Sequence, residues 1–481
     1  GSWNLEYLDK SEIEMIHDAS LRILSELGIF IDHAEIGSEL KKNGVEEKNK
    51  RLLFSEDIVK EAVRKSKKKY TLYARNPKYS LEVGRGNFRF LSSAGQTDIV
   101  DPVRKEKRKA TKKDLHEAIL VGDALENINI VGSMANPQEI PSLGRCIYVY
   151  SELIKNSSKI VFSWIENPEE APYVLKMFEV LAGGEEEHRK KPMIWYFCEP
   201  VSPLKFRYES LEILRLFCQK GLPASFGPMV MAGLTGPITL AGTLALENAE
   251  ILAGITIAQI LSPGTAVEYG GIPHIADMRN LNISFGSPEQ AIMAVAMTQI
   301  GRYYGFSVHV NTGLTDSNIP DAQAGLEKGA SMLISALAGA EMFGHLGIAG
   351  ADQGASIEQL IIDNEIAGYV KRVINGFDVN EETLGFDLIK DRLETGSFTG
   401  TRHTLKHMKS EQWFPRLLNR DTWDGWLSKN SKDLLTKAME TKQKILKEHS
   451  PEPLEKQVEN MVKQIVKEAS KELTAKRSSY N

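Results

Sequence analysis

Short runs of β-branched and aromatic residues recur through the middle of the chain, at 88–91, 128–132, 160–164, 193–199, 223–228, 265–269, 306–310 and 341–346. Successive runs start roughly 30 to 42 residues apart, the length of one strand–helix unit. The intervening stretches carry apolar residues at helical spacing. Helix-start signals fall where this reading needs them. Thr111 has Asp114 three positions on, Asn167-Pro168 is followed by Glu170, Ser202-Pro203 follows the fourth run, and Ser287-Pro288-Glu289-Gln290 reads as a capping box with proline at the first helical position. Eight strands alternating with eight helices predict an α/β fold, a closed (β/α)8 TIM barrel. An open doubly wound sheet is the alternative, but no GxGxxG stands in the first strand–helix turn.

The flanks differ from this middle. Residues 1–85 predict a helical and β extension. Ser11 with Glu14 would cap a helix through about residue 27, a second helix is expected over 55–66, and 69–91 alternate like strands around a turn at Asn76-Pro77. The barrel is expected over 86–380. Residues 381–481 predict a charged helical extension, its last two helices near 432–449 and 453–475, with the charge run read as a solvated face. Gly1-Ser2 reads as an expression scar.

Composition narrows the function classes. Of 481 residues, 42% are hydrophobic and 26% charged, the balance of a folded soluble protein, and the net charge of −5 calls for neither nucleic acid nor an anionic membrane. Three cysteines without CxxC spacing argue against a disulfide scaffold and fit a reducing cytoplasm. The most apolar stretch, 239–261, is interrupted by Glu247 and Glu250 and reads as a buried barrel helix.

In such a barrel, reacting groups gather at the carboxyl ends of the strands. That rule selects Gln96, Trp164, Phe197, Glu199, Phe226, Glu268, Tyr269, His309, Asn311 and His345. No HxH, HExxH, GxSxG or Walker-type loop is present, so a dedicated metal site is not expected. Aromatic rings at strand ends pack a barrel core or, when they point inward, box a cation. Glu199 and Glu268 are either rim ion pairs or the charge complement of such a cation. The polar loops 311–318 and 350–354, after the last two strands, are either ordinary turns or anion-binding amides. No predicted strand end carries a lysine, which disfavours a metal-independent Schiff-base lyase or aldolase. A non-catalytic binder of betaines stays open.

Several stretches, in order, resemble the trimethylamine methyltransferase superfamily: SSAGQTDIVDPVRKEKRKAT at 92–111, FCEPVSPL at 197–204, SFGPMVMAGLTGPITLAGTLAL at 225–246, VEYGG at 267–271, FGSPEQ at 285–290, LTDSNIPDAQAG at 314–325 and GTRHTLKHMKSEQWFPRLLNR at 400–420. The resemblance implies methyl transfer from an amine to the cobalt(I) of a corrinoid held by a separate small protein, with no cofactor bound tightly by this chain. The founding enzymes carry pyrrolysine, which would fall near 312–320. This chain has none, so the resemblance points to the group acting on quaternary amines such as glycine betaine, other betaines or carnitine. Glu199 and Glu268 are then the expected catalytic carboxylates. Gln96, Trp164, Phe197, Phe226, Tyr269, His309, Asn311 and His345 are the expected substrate contacts. A barrel of this size with helical extensions is also expected to self-associate.

Overall fold

The structure, a computed structural model, describes residues 4–479; the Gly1-Ser2 pair lies outside them. Eight parallel strands form one curled sheet: β1 (Arg89–Ser92), β2 (Ile130–Gly132), β3 (Ile160–Phe162), β4 (Tyr196–Cys198), β5 (Ala224–Phe226), β6 (Val267–Gly271), β7 (Val308–Val310) and β8 (Met342–Leu346). Each is followed by its helix: α1 (Lys112–Ala124), α2 (Ser142–Asn156), α3 (Ala171–Ala182), α4 (Tyr208–Gln219), α5 (Leu240–Leu261), α6 (Pro288–Tyr303), α7 (Ala322–Leu337) and α8 (Ile357–Asn375). The ladder runs β3-β2-β1-β8-β7-β6-β5-β4, so neighbours in the chain are neighbours in the ring, as in a TIM-like barrel. Between β3 and β4, at its two ends, the ladder is open among the described residues. Rings fill that seam: Phe162 stacks on Trp195 at 5.2 Å, and Trp164 meets Phe197 edge-on at 5.4 Å.

Strand periodicity divides the core in two. Phe90, Val131, Val161, Tyr196, Phe226, Val267 and Val308 face outward into a continuous layer under the helices. Leu91, Ile130, Ile160, Phe162, Trp195 and Phe197 fill the interior, with Tyr70, Leu72 and Val83 from an amino-terminal hairpin. That hairpin pairs Tyr70–Leu72 with Leu81–Val83 and turns through Pro77–Tyr79. It covers the amino end of the barrel, where Tyr73 N–H donates to the Pro192 carbonyl at 2.9 Å and Asn76 N–H to the Ser158 carbonyl at 3.0 Å. Helix α5 is the one described helix long and apolar enough to cross a membrane, and 89% of its apolar window is buried in the protein. The helices Leu434–Glu448 and Lys456–Ser479 lie outside α1, α8, α2 and α3, burying Ala438, Val462, Ile465, Ala469 and Leu473.

The Thr111 capping box forms as the sequence predicts, and Ser287 accepts from Gln290 N–H ahead of Pro288, but Gln290 gives its side-chain amide to the Asn311 carbonyl at 3.1 Å and does not close the box. Three others shift. The first helix is Lys10–Arg22, capped by Asp9 with Glu12 rather than by Ser11 with Glu14, and it passes through a π turn to end at Gly28 (φ 74°). The two boxes compete at a spacing of two residues, and Asp9 offers a carboxylate to the first amides. Asn167 opens only a turn before α3: its amide donates to Glu170 at 2.6 Å, and Glu170 in turn accepts from the N–H groups of Gly144 and Cys146 at the start of α2. Ser202 caps nothing, because its hydroxyl donates to Glu250 of α5 at 2.7 Å and α4 begins at Tyr208. Two small sheets in the loops above the barrel were also unpredicted, one of 98–101, 106–109, 348–349 and 354–355, the other of 231–232, 274–277 and 282–284. Their strands are of two to four residues, too short for a period-two pattern to register.

Candidate functional site at the barrel mouth

Inward positions repeat every second residue, and the barrel interior is stacked in layers. At the floor, Arg89 Nη2 lies 2.5 Å from Glu268 Oε2 and 2.9 Å from Ser307 Oγ. The Ser307 hydroxyl is also 2.7 Å from Glu341, which accepts from the N–H groups of Gly84 and Gly86 in the hairpin below. A charge this deeply buried persists only when paired and hydrogen-bonded, and both conditions hold here. Glu268, expected at the mouth, is therefore placed at the floor. Two residues on, the inward position at the mouth is Gly270, whose closest neighbour is His309.

Phe226 and Tyr269 have the opposite parity and point away from the interior. Phe226 packs on α5 so closely that a Cβ on Gly254 would sit 2.3 Å from its ring. Tyr269 donates its hydroxyl to Asn248 of α5 at 2.8 Å and packs near Phe306. Both belong to the layer under the helices.

The remaining expected residues converge. Trp164 is edge-on to Phe162 and Phe197, Phe197 is edge-on to His309 at 5.4 Å, and His345 lies 6.1 Å from Trp164 and 6.3 Å from His309. Trp164 is held by its indole N–H on the Ala94 carbonyl at 3.1 Å. Phe197 occupies space that only a glycine at 227 leaves open, since a Cβ there would lie 1.9 Å from the ring. Around these rings, buried polar atoms lack partners, namely Nδ1 of His345 and the hydroxyls of Ser93 and Ser225, while the Asn311 side chain faces the His309 imidazole. Asn311 is oriented by donating to the Gly271 carbonyl at 3.1 Å. Burial, reinforced by Arg89 for His309 and by His309 for His345, lowers both imidazoles to about 3, so both are neutral near pH 7.

Above them opens a cleft of about 530 Å³, bounded by Gln96, Trp164, Phe197, Glu199, Met229 and Asp352 among others. Glu199 is pushed up to about 8, first by burial and then by the charge of Asp352. Asp352 is pushed up to about 6 by burial, offset in part by the Gln96 amide, which donates to it at 2.6 Å. Behind this wall, on α5, Glu250 is raised to about 7 and Glu247 is raised as well, first by burial in both cases. Arg207 stands exposed at the rim of the same cleft. The loop carrying Asp352 is anchored from below. Gly347 N–H donates to Asp363 at 2.7 Å, and that carboxylate also takes Lys328 Nζ at 2.5 Å and the Gln359 amide at 2.8 Å, all fully buried or nearly so.

Sequence reasoning missed Glu247, Glu250 and Arg207 as parts of this region. The two glutamates had a signal, being the only acids in an otherwise apolar helix; Arg207 had none. In the polar loop 311–318, three amides are already engaged within the protein. Gly313 donates to the Gly344 carbonyl, Asp316 to Glu327 and Ser317 to Thr315. Among the described residues no three histidines, cysteines or acids are grouped to hold a metal ion.

An interior lined by rings, two neutral imidazoles and carboxyl groups held above their usual range by burial is a cavity that would gain by receiving a positive charge. Comparison with known proteins bears on whose cavity it is. The family described as trimethylamine methyltransferase (MTTB) matches residues 2–474. A glycine betaine methyltransferase of Desulfitobacterium hafniense strain Y51 is 31% identical over 468 residues, covering 97% of each chain. A trimethylamine methyltransferase of Methanosarcina barkeri is 29% identical over 474 residues, covering 97% of this chain and 96% of that one. Among solved structures, the Methanosarcina barkeri monomethylamine methyltransferase shares the fold with a TM-score of 0.55 at 13% identity, over 97% of this chain and 88% of that one. With residues 2–474 matched by the family and a 31% identical relative covered over 97% of its length, this chain is a member of the trimethylamine methyltransferase family.

Proposed function

We propose that this chain takes a methyl group from a quaternary amine, glycine betaine or a related betaine or carnitine, and delivers it to a corrinoid carried by a small partner protein. The observation that carries the reading is the wall formed by Trp164, Phe197 and Glu199 on one side of an open cleft. Each aromatic face attracts an alkylated ammonium by roughly 0.5–2 kcal/mol. Glu199, nearly neutral in the empty cavity, ionises against such a cation and neutralises it. A zwitterion also needs donors for its carboxylate, which Arg207 at the rim and the neutral imidazole of His345 are disposed to supply. The cleft is open on one side, as a methyl group handed to a second protein requires, and its aromatic lining fits a cation better than an anion.

When present, cobalt(I) of the corrinoid supplies the nucleophile; the protein supplies position and environment. A quaternary nitrogen leaves as a neutral amine without prior protonation, in keeping with a chain that lacks pyrrolysine. Charge leaves nitrogen during transfer, so a strong ion pair would favour substrate over transition state. Rings with one titratable carboxylate hold the cation more softly than several fixed charges would. The two buried lysines are engaged elsewhere, Lys328 by Asp363 and Lys159 by the carbonyls of Gly122, Leu125 and Ile128, which weighs against a Schiff-base lyase. Three free buried cysteines fit a reducing cytoplasm.

The test mixes the chain with a competent corrinoid protein in the cobalt(I) state and a panel of betaines. The expected result is the absorbance of methylated cobalt, dependent on both chain and substrate and slowed at subsaturating betaine with Trp164→Ala. Tight betaine binding without any change in the cobalt spectrum would overturn methyl transfer and leave a binder.

A further inference from the structure

The segment from Gly376 to Ser431 leaves the barrel at the end of α8 and makes almost no core of its own. It contains four short helices, Glu381–Leu384, Phe386–Asp391, Arg402–Glu411 and Trp423–Ser428, none with a buried side chain. Only Thr401 and Leu417 are buried between 376 and 431. Thirteen large apolar side chains are exposed between Phe377 and Leu427, among them Phe377 (73%), Phe386 (73%), Leu393 (75%) and Trp423 (70%). With 150–250 Å² for a whole aromatic side chain and less for leucine, these come to roughly 1,000 Å² of bare apolar surface. A standard interface takes about 800 Å² per partner, so the segment as a whole exposes enough apolar surface to furnish one.

We infer that this segment is a self-association face, covered by the same segment of a second copy of this chain. Charge favours that occupant. Six acids stand against two bases from 378 to 394, and five bases against one acid from 402 to 420. Glu382 holds Lys406 and His407 within the chain, which sets the acidic and basic lobes side by side. A twofold axis would bring the acidic lobe of each copy to the basic lobe of the other, and the apolar side chains between them would be covered twice over. Position argues against the corrinoid protein as occupant. Helix α8 starts at the carboxyl end of β8 and runs back toward the amino end of the barrel. The segment therefore hangs from the face opposite the mouth, and it is tied along α8 by Trp413 on Tyr369 and by Glu365 accepting from Arg416 N–H. Excluding the corrinoid protein rests on the proposed function; the self-association does not.

Sedimentation velocity of the full chain, without any corrinoid protein, tests the inference. The wild type should sediment as a dimer or larger at micromolar concentration. Phe386→Glu with Leu393→Glu should shift it to a single chain, with an unchanged circular dichroism spectrum because both positions are exposed. Asp387→Lys/Asp391→Lys and Arg402→Glu/Lys409→Glu should each dissociate alone and reassociate when mixed one to one. Should the glutamate variant misfold, hydrogen exchange on diluted wild type replaces it: protection should fall within 377–427 and hold in α5. A monomeric wild type, an assembly indifferent to these substitutions, or dilution that leaves 377–427 unchanged would overturn the inference.

Discussion

Replacing Glu199 by glutamine isolates the cost of the carboxyl group in the cleft. Its pKa is raised from 4.5 to about 8 in the folded chain. A raised carboxyl pKa means that the folded state holds a proton which the unfolded state has released. The penalty is absent below pH 4.5, grows as pH rises, and is complete above pH 8. At 1.36 kcal/mol per unit, the window to pH 7 corresponds to about 3 kcal/mol. Solvent in the open cleft screens part of this, leaving on the order of 1–3 kcal/mol. For a chain of this length, that stabilises Glu199→Gln by roughly 1–3 °C in Tm. Calorimetric melts from pH 4.5 to 8.5 should show the variant and wild type converging at the acid end and diverging toward pH 8. Over the same range, titration of glycine betaine into wild type should tighten about tenfold per pH unit below 8 and release a proton; the variant should bind weakly at every pH. If the variant melts no higher than wild type at pH 8 and binds betaine equally well, the raised carboxyl and its role as counter-charge are both refuted.

Three further outcomes follow from the same geometry. Trp164→Ala should weaken betaine binding by about 3- to 30-fold in calorimetry, the worth of one cation–ring contact, while Trp164→Phe keeps most of it. Gly227→Ala should displace the Phe197 ring, because the added Cβ would lie 1.9 Å from it; a crystal structure would show the ring moved, and betaine affinity should fall with the barrel intact. Lys328→Met should cost about 3–5 kcal/mol in chemical denaturation, since it strands a buried carboxylate, and Lys328→Met with Asp363→Leu should recover part of that loss.

The repeat of strand and helix was legible because each unit carries its own pattern, with side-chain caps opening α1, α6, α7 and α8, and all eight strands fall where the β-rich runs lie. What was not legible was depth. Glu268 and Glu199 both sit on inward positions at β-rich runs, yet one lies at the floor beside Arg89 and the other at the mouth. Height within a barrel depends on stagger between strands, a property of pairing that no single strand encodes. Orientation was available in principle: Phe226 and Tyr269 are the odd neighbours of Ser225 and Glu268, and alternation alone sends them outward. Helix starts failed where a side chain had a tertiary partner to prefer, as Ser202 prefers Glu250. Arg207 gave no warning because a rim residue on an irregular loop has no periodicity to read.

The gap in the ladder has a consequence for how the cavity and the scaffold depend on each other. Trp164 extends from β3, while Phe197 and Glu199 extend from β4, and these are the two strands that exchange no backbone hydrogen bonds. A guest clasped between them acts as a rivet across the edge of the cylinder that is unlaced among the described residues. Occupancy and ring integrity are thus one equilibrium viewed from two ends: whatever loosens the lacing slackens the grip, and a filled cavity slows the fraying of β3 from β4.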